Sequence, residues 1–162
     1  MRIAYIILAH KLPDMLAPLV QRLQSDTVMF YVHIDKKTPQ SLAEKMKNGV
    51  NRFDNVHFIK RIKCYWGGFG HVQATLNGID AVLKSGFAFD YTVLLTAQDY
   101  PLQKNSKIFD FFEQNKGRSF LDYESLPSSS GWDVMDRIEQ WHVSFGSRRV
   151  LFPMILDTGK YC

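Results

Sequence analysis

Two apolar rhythms alternate along the chain. Residues 3–9 ("IAYIILA") form a continuous, β-rich apolar run, as expected of a strand buried on both faces of a parallel sheet. Met15, Leu16, Leu19, Val20 and Leu23 then recur at helical spacing, with Asp14 as N-cap. Pro18 costs this helix stability unless it falls in the first turn. A second strand is "VMFYVHI" (28–34), ending at Asp35. Thr38-Pro39 reads as a cap followed by proline at the first helical position, opening a helix with Leu42 and Met46 inward that Asn48-Gly49 stops. "NVHFIK" (55–60) is a third strand. After "CYWGGFG" a helix follows with Val72, Leu76, Ile79, Val82 and Leu83 on its inward face and Gly86 near its end. "DYTVLLT" (90–96) is a fourth buried strand, leading into "AQDYPL". Ile108, Phe111 and Phe112 mark a further helix, which Gly117 terminates, and "SFLDY" (119–123) predicts another strand. Beyond "SLPSSSG" the pattern loosens, and only 137–145 suggests an ordered element.

Alternation of this kind implies an α/β fold, a mostly parallel sheet with helices on both faces. Such sheets bind ligands beyond the carboxyl ends of their strands. That rule points to "LAH" (8–10), "HID" (33–35), "CYWGG" (64–68) and "AQDYP" (97–101), where polar or unusual residues interrupt the apolar runs.

Composition narrows the ligand and the setting. A chain of 162 residues, 46% hydrophobic and 14% aromatic, is enough for one domain with a sizeable core. A formal charge of +4 and a pI near 9.1 suit an anionic ligand such as a nucleotide diphosphate but are too weak to argue for nucleic acid. The basic stretches "DKK" and "IKRIKC" read as solvated surface charge. The two cysteines, Cys64 and Cys162, make neither a disulfide framework nor a zinc motif, and the expectation is a reducing, cytoplasmic setting. The N-terminal apolar run is shorter than a membrane span and no small-residue cleavage site follows it.

Asp35 stands where nucleotide-binding sheets place an acid that reads a ribose or base, or else it is a cap or turn aspartate. His10 and His33 lie at strand ends as ligand contacts or as satisfied structural groups, and no third histidine or carboxylate stands at metal-ligand spacing. In "WGGFG", glycines such as Gly67 let backbone approach a ligand, and the helix start behind them offers N–H groups to a phosphate. Trp66 packs against a flat base or sugar, or is the core tryptophan of a tight turn. The stretch is neither GxGxxG nor a P-loop. Asp99 lacks the partner of an Asp-x-Asp metal motif because residue 97 is alanine, so it acts alone, or no metal is used, or it closes a turn.

Taken in order, "AYIILAH", "FYVHIDKK", "YWGGFGHVQATLNGI" and "YTVLLTAQDYPLQ" resemble the core-2/I-branching glycosyltransferases, which include β-1,6-N-acetylglucosaminyltransferases and peptide O-xylosyltransferases. The similarity covers roughly residues 2–125. It implies an A-type glycosyltransferase fold and an inverting transfer from UDP-xylose or UDP-N-acetylglucosamine to a glycan or glycoprotein hydroxyl, with no divalent metal and no other cofactor. By the same resemblance Leu8, Ala9 and His10 contact the nucleotide and Asp35, with Lys36 beside it, helps hold the uridine. Cys64, Tyr65, Trp66 and Gly67 lie in the donor site, Asp99 lies at its edge, and Asp122 aligns loosely with an acceptor-side acid.

The family's catalytic glutamate and its diphosphate-binding cations are expected beyond Cys162, since Glu124 and Glu139 precede that region. The chain therefore reads as a donor-binding core over 1–125 followed by the truncated start of an acceptor-side region over 126–162. The implied setting is a bacterial-type cytoplasmic enzyme, peripheral at the inner membrane, with a Golgi location only if an anchor is missing. A non-catalytic nucleotide-sugar binding module is the alternative. A flavodoxin-like protein is disfavoured because no phosphate loop opens the first helix.

Overall fold

Strand β1 (Ile3–Ala9) is buried along nearly its whole length, and the fold is built outward from it. A computed structural model describes residues 1–123, 140–146 and 148–153. After β1 come α1 (Pro13–Leu23), β2 (Val28–Ile34), α2 (Gln40–Val50), β3 (Val56–Phe58), α3 (Gly70–Lys84), β4 (Tyr91–Thr96) and α4 (Asn105–Gln114). The four strands form a parallel sheet in the order β3-β2-β1-β4, with Ile3 opposite Val28 on one side and Tyr91 on the other. Each crossover carries a helix, as parallel pairing requires. Helices α1, α2 and α4 cover one face through Leu16, Leu19, Val20, Ala43, Met46 and Phe112, packed on Ile3, Tyr5, Ile7, Phe30 and Val32. Residues Ala4, Ile6 and Tyr31 point to the other face and meet Val82 of α3.

The chain divides into two compact units, the first comprising Met1–Cys64 with Phe69–Arg118, the second Tyr65–Gly68 with the residues from Ser119 onward. Within the second, β5 (Gln140–Phe145) and β6 (Arg148–Pro153) form an antiparallel hairpin.

Several expectations are corrected by this arrangement. The third strand is only Val56–Phe58, and residues 119–123 are not a strand. Helix α1 starts at Pro13 after Leu12, which holds a left-handed φ of 53°. Asp14 is thus inside the first turn, where its carboxylate meets Lys45 Nζ at 2.8 Å rather than capping. Pro18 falls in the second turn, where its missing N–H leaves a carbonyl without its helical partner. Thr38 caps nothing, because its hydroxyl donates to His10 O at 2.9 Å and Pro39 becomes the N-cap. Gly49 does not stop α2, and Leu42 is partly exposed while Ala43, Met46 and Val50 turn inward.

The largest correction concerns α3. Its sheet-facing residues are Ala74, Gly78 and Val82, one every fourth position. Val72, Leu76, Ile79 and Leu83, expected inside, are 40–66% exposed. The small pair lets the helix lie close on β1, and a Cβ added at Gly78 would stand 2.5 Å from Ile6 Cγ2. Close approach, rather than bulk, selected the buried face.

Candidate functional site

Backbone hydrogen bonds join the carboxyl ends of the strands. The Asp35 N–H donates to Ala9 O at 2.8 Å and the Ala97 N–H to Leu8 O at 3.0 Å, so β1 holds both neighbours just past their last residues. Leu8 and Ala9 therefore enter the site through their carbonyls, with the Ala9 side chain buried.

Asp35 is 5% exposed and organises the turn that follows β2. Its Oδ1 accepts the Lys37 N–H at 2.8 Å and the Cys64 N–H at 3.3 Å, while Oδ2 lies 3.6 Å from Lys37 Nζ. Its carbonyl accepts the Thr38 N–H at 2.9 Å. A short acid bonding to backbone two residues on is an Asx turn, so one carboxylate oxygen is committed to the fold. Lys36 is exposed, and its N–H donates to Ile62 O at 2.9 Å.

The segment 59–64 is locked onto this turn from the other side. Arg61 Nε donates to Ile34 O at 3.2 Å, its NH1 to Gln40 Oε1 at 3.0 Å, and its NH2 to Asp35 O at 3.1 Å and Thr38 O at 2.7 Å. The solvated reading of "IKRIKC" thus fails for Arg61, whose planar fork of donors gathers three carbonyls at one strand end. His33 is 1% exposed, and its Nε2 accepts the Ile62 N–H at 3.1 Å. It is the satisfied structural histidine of the two alternatives. Burial pushes its pKa below the ordinary value, with Arg61 and His71 adding to the fall and Asp35 opposing it. Accepting at Nε2 keeps the ring neutral.

His10 reaches solvent at the rim. Loss of water around the ring lowers its pKa first, Lys11, His71 and Lys37 push the same way, and Asp35 opposes them. Cys64 is buried, and burial followed by the nearby Asp35 raises its thiol, against Lys37. Such a thiol is a poor nucleophile. The rim thus sets the imidazole of His10 among the cations of Lys11, Lys36 and Lys37, a setting that favours an anion.

The glycines of "CYWGGFG" have separable causes. Gly67 takes a φ of 68° inside a turn closed by the Gly68 N–H on Tyr65 O at 3.0 Å. Gly70 begins α3 against the preceding loop, where an added Cβ would stand 2.4 Å from Lys63 O and 2.8 Å from Cys64 Cα. Two of the glycines thus answer to the chain's own backbone. Trp66 is 95% exposed, which excludes the core-tryptophan reading.

Asp99 is exposed, and its Oδ2 accepts the Thr96 N–H at 2.7 Å, closing a turn at the end of β4 beside the buried Ala97. The structure therefore gathers Leu8, Ala9, His10, Asp35, Lys36 and Cys64 at one end of the sheet, and places Asp99 at the end of the neighbouring β4. Tyr65, Trp66, Gly67 and Asp122 belong to the second unit, with Asp122 exposed on an irregular segment. Glu124 and Glu139 lie outside the described residues. Among the described residues no three His, Cys, Asp or Glu side chains are grouped to hold a metal ion, and no helix is long and apolar enough to cross a membrane. Thr38 and Arg61 are the members that sequence reasoning missed: Thr38 stands three residues after Asp35, whereas Arg61 lies 26 residues beyond that aspartate, within "IKRIKC".

Comparison with known proteins follows the same segments. The family model described as "Core-2/I-Branching enzyme" matches residues 3–146. A human protein, the probable beta-1,3-galactosyl-O-glycosyl-glycoprotein beta-1,6-N-acetylglucosaminyltransferase 7, is 29% identical over 110 residues, covering 67% of this chain and 26% of its own length. Canine xylosyltransferase 2 is 28% identical over 168 aligned residues, covering 98% of this chain and 19% of its own length. Mouse beta-1,3-galactosyl-O-glycosyl-glycoprotein beta-1,6-N-acetylglucosaminyltransferase 4 is 26% identical over 128 residues, covering 78% of this chain and 28% of its own. The chain thus spans 19–28% of the length of these relatives.

Proposed function

The chain belongs to the core-2/I-branching enzyme family, and from that premise we propose that it forms the donor-binding part of a glycosyltransferase. The donor is a UDP-sugar, UDP-xylose or UDP-N-acetylglucosamine, and the acceptor is a glycan or glycoprotein hydroxyl that attacks with inversion. The observation that carries this reading is the strand-end turn around Asp35. Oδ1 fixes the turn, and Oδ2, which faces Lys37 Nζ at 3.6 Å, is the charged acceptor for a uracil or ribose donor, while Lys11 and Lys36 supply positive potential for a diphosphate. Leu8, Ala9, His10 and Cys64 frame the same end of the sheet. Trp66, in the second unit, is exposed and keeps its assignment as a donor-contacting aromatic. No resident cofactor is assigned. Binding without a divalent ion is supported by Ala97 standing where a second aspartate would be needed, and by Asp99 already holding the Thr96 N–H.

Chemistry at the anomeric carbon needs a base for the acceptor proton. The described glutamates Glu44 and Glu113 lie on α2 and α4, Glu44 accepting from Gln40 Nε2 at 2.9 Å, and neither is assigned that role. Asp122 keeps its assignment as an acceptor-side residue.

Asp35→Asn separates the two oxygens. The amide keeps an acceptor for the Lys37 and Cys64 N–H groups but loses the charge at Oδ2. UDP affinity measured by titration calorimetry should fall by about 1.5–3 kcal/mol, with thermal stability nearly unchanged and with the same affinity in EDTA as in manganese. Unchanged affinity in a folded Asp35→Asn protein would confine Asp35 to the turn. A tenfold gain with manganese would overturn the metal-free reading.

A further inference from the structure

On the sheet face opposite α3, a cavity of about 550 Å³ opens between α1, α4 and the strands β1 and β4. Leu19, Leu23, Val93, Leu95, Ile108 and Phe112 give it apolar walls. Its size falls in the range of small-molecule sites, and neither Asp35 nor Lys36 lines it.

Two polar groups give the cavity a chemistry. Tyr5, on the central strand, is only 3% exposed, lines the cavity, and is held by a ring stacked on Phe30 at 5.4 Å. Among the described residues no side-chain hydrogen bond engages its hydroxyl, and that oxygen is not one of the sealed, unpartnered buried atoms, so the phenol stays open to a ligand or water in the cavity. Burial pushes the phenol up to about 12, so it stays protonated and able to donate. At the rim, Lys107 extends from the first turns of α4 and makes no ion pair with any described residue. Gln103, which also lines the cavity, accepts from Arg22 NH2 at 2.8 Å through its carbonyl. The one carboxylate there, Asp99, is partly satisfied by the Thr96 N–H.

The geometry points to a second ligand site, for a small single-tailed amphiphile with an anionic head. The tail fills the apolar cavity, an oxygen of the ligand accepts from Tyr5, and the carboxylate or phosphate head pairs with Lys107. Of the donor-site residues only Asp99, at that site's edge, also lines this cavity, and none of those proposed to hold the uridine does.

Titration calorimetry with decanoate, decyl phosphate and decanol below their self-association concentrations provides the test, with isotope-labelled methyl groups as the reporter of place. Expected are saturable one-to-one binding of both anions and weak binding of decanol. Methyl shifts should centre on Leu19, Leu23, Val93, Leu95 and Ile108. Lys107→Glu, at an exposed position, should weaken decanoate at least tenfold while leaving UDP binding alone. Leu95→Trp should block binding by filling the cavity; should that protein fail to fold, Lys107→Glu and Tyr5→Phe carry the test. Absent saturation, shifts centred elsewhere, or equal affinity for decanol and decanoate with Lys107→Glu unaltered would each overturn the proposal. If decyl phosphate alone binds, the head group is a phosphate and the site stands for that source.

Discussion

His33 and Gly70 show how much of the strand-end site rests on single residues. The imidazole of His33 accepts the Ile62 N–H only while neutral, and burial holds its pKa below the usual value of about 6.5. The unfolded chain therefore binds a proton more readily. Stability is fully present above about pH 6.5 and is lost as pH falls from there through the lowered folded value. Urea midpoints should drop between pH 7.5 and 5.5, and His33→Gln, which keeps an acceptor but cannot protonate, should flatten most of that drop; equal slopes in both proteins would refute the assignment. Gly70→Ala drives a methyl into Lys63 O and Cys64 Cα, which are backbone atoms that cannot rotate aside. It should cost about 1–3 kcal/mol and weaken UDP binding as the Cys64 N–H leaves Asp35; a melting temperature within error of the parent would show that the loop relaxes freely. The strand-ending rule found Asp35, His10 and Cys64 because it needs only the apolar runs. It missed Arg61 because a guanidinium that gathers Ile34, Asp35 and Thr38 carbonyls leaves no mark on local periodicity.

Among elements, periodicity located every helix of the first unit but chose the wrong face of one. A helical wheel weighs side chains by hydrophobicity, and on α3 that places Val72, Leu76, Ile79, Val82 and Leu83 inward, of which Val82 alone is buried. The actual contact is made by Ala74 and Gly78, because removing side-chain bulk lets two backbones pack at short range. The error is thus physical, since burial depends on how closely a helix can approach as well as on what it carries. It also yields a paired forecast. Leu83→Lys, at a position 66% exposed, should change stability by no more than about 0.5 kcal/mol and improve solubility. Gly78→Ala gains about 1 kcal/mol of helix propensity yet forces Ile6 aside, for a net loss near 1 kcal/mol. Chemical denaturation of both proteins decides, and a larger loss from Leu83→Lys than from Gly78→Ala would restore the wheel's face. The short β3 and the irregular 119–123 were misjudged for a simpler reason: apolar residues with strand propensity need a partner strand, and sequence alone does not supply one.

Across the whole first unit, the sheet order sets β1 between a near neighbour in sequence and a distant one. Its pairing with β2 joins residues 25 positions apart, as Ile3 does with Val28, whereas its pairing with β4 joins Ile3 to Tyr91. Short loops close first, so the β1-α1-β2 segment should form the folding nucleus and β4 should join late. Val32→Ala should accordingly slow refolding, with a φ-value of about 0.5–0.8, whereas Val93→Ala should mainly hasten unfolding, with a φ-value near 0–0.3. Reversed values in stopped-flow experiments would place the nucleus on the β4 side. The same order has a meaning during synthesis. The Arg2 N–H finds its acceptor on Asp90, 88 residues later. At roughly 5–20 residues per second, the ribosome takes about 4–18 s to deliver that partner. For that interval the buried central strand has one open edge, and the growing chain depends on its neighbours in the cell to leave that edge alone.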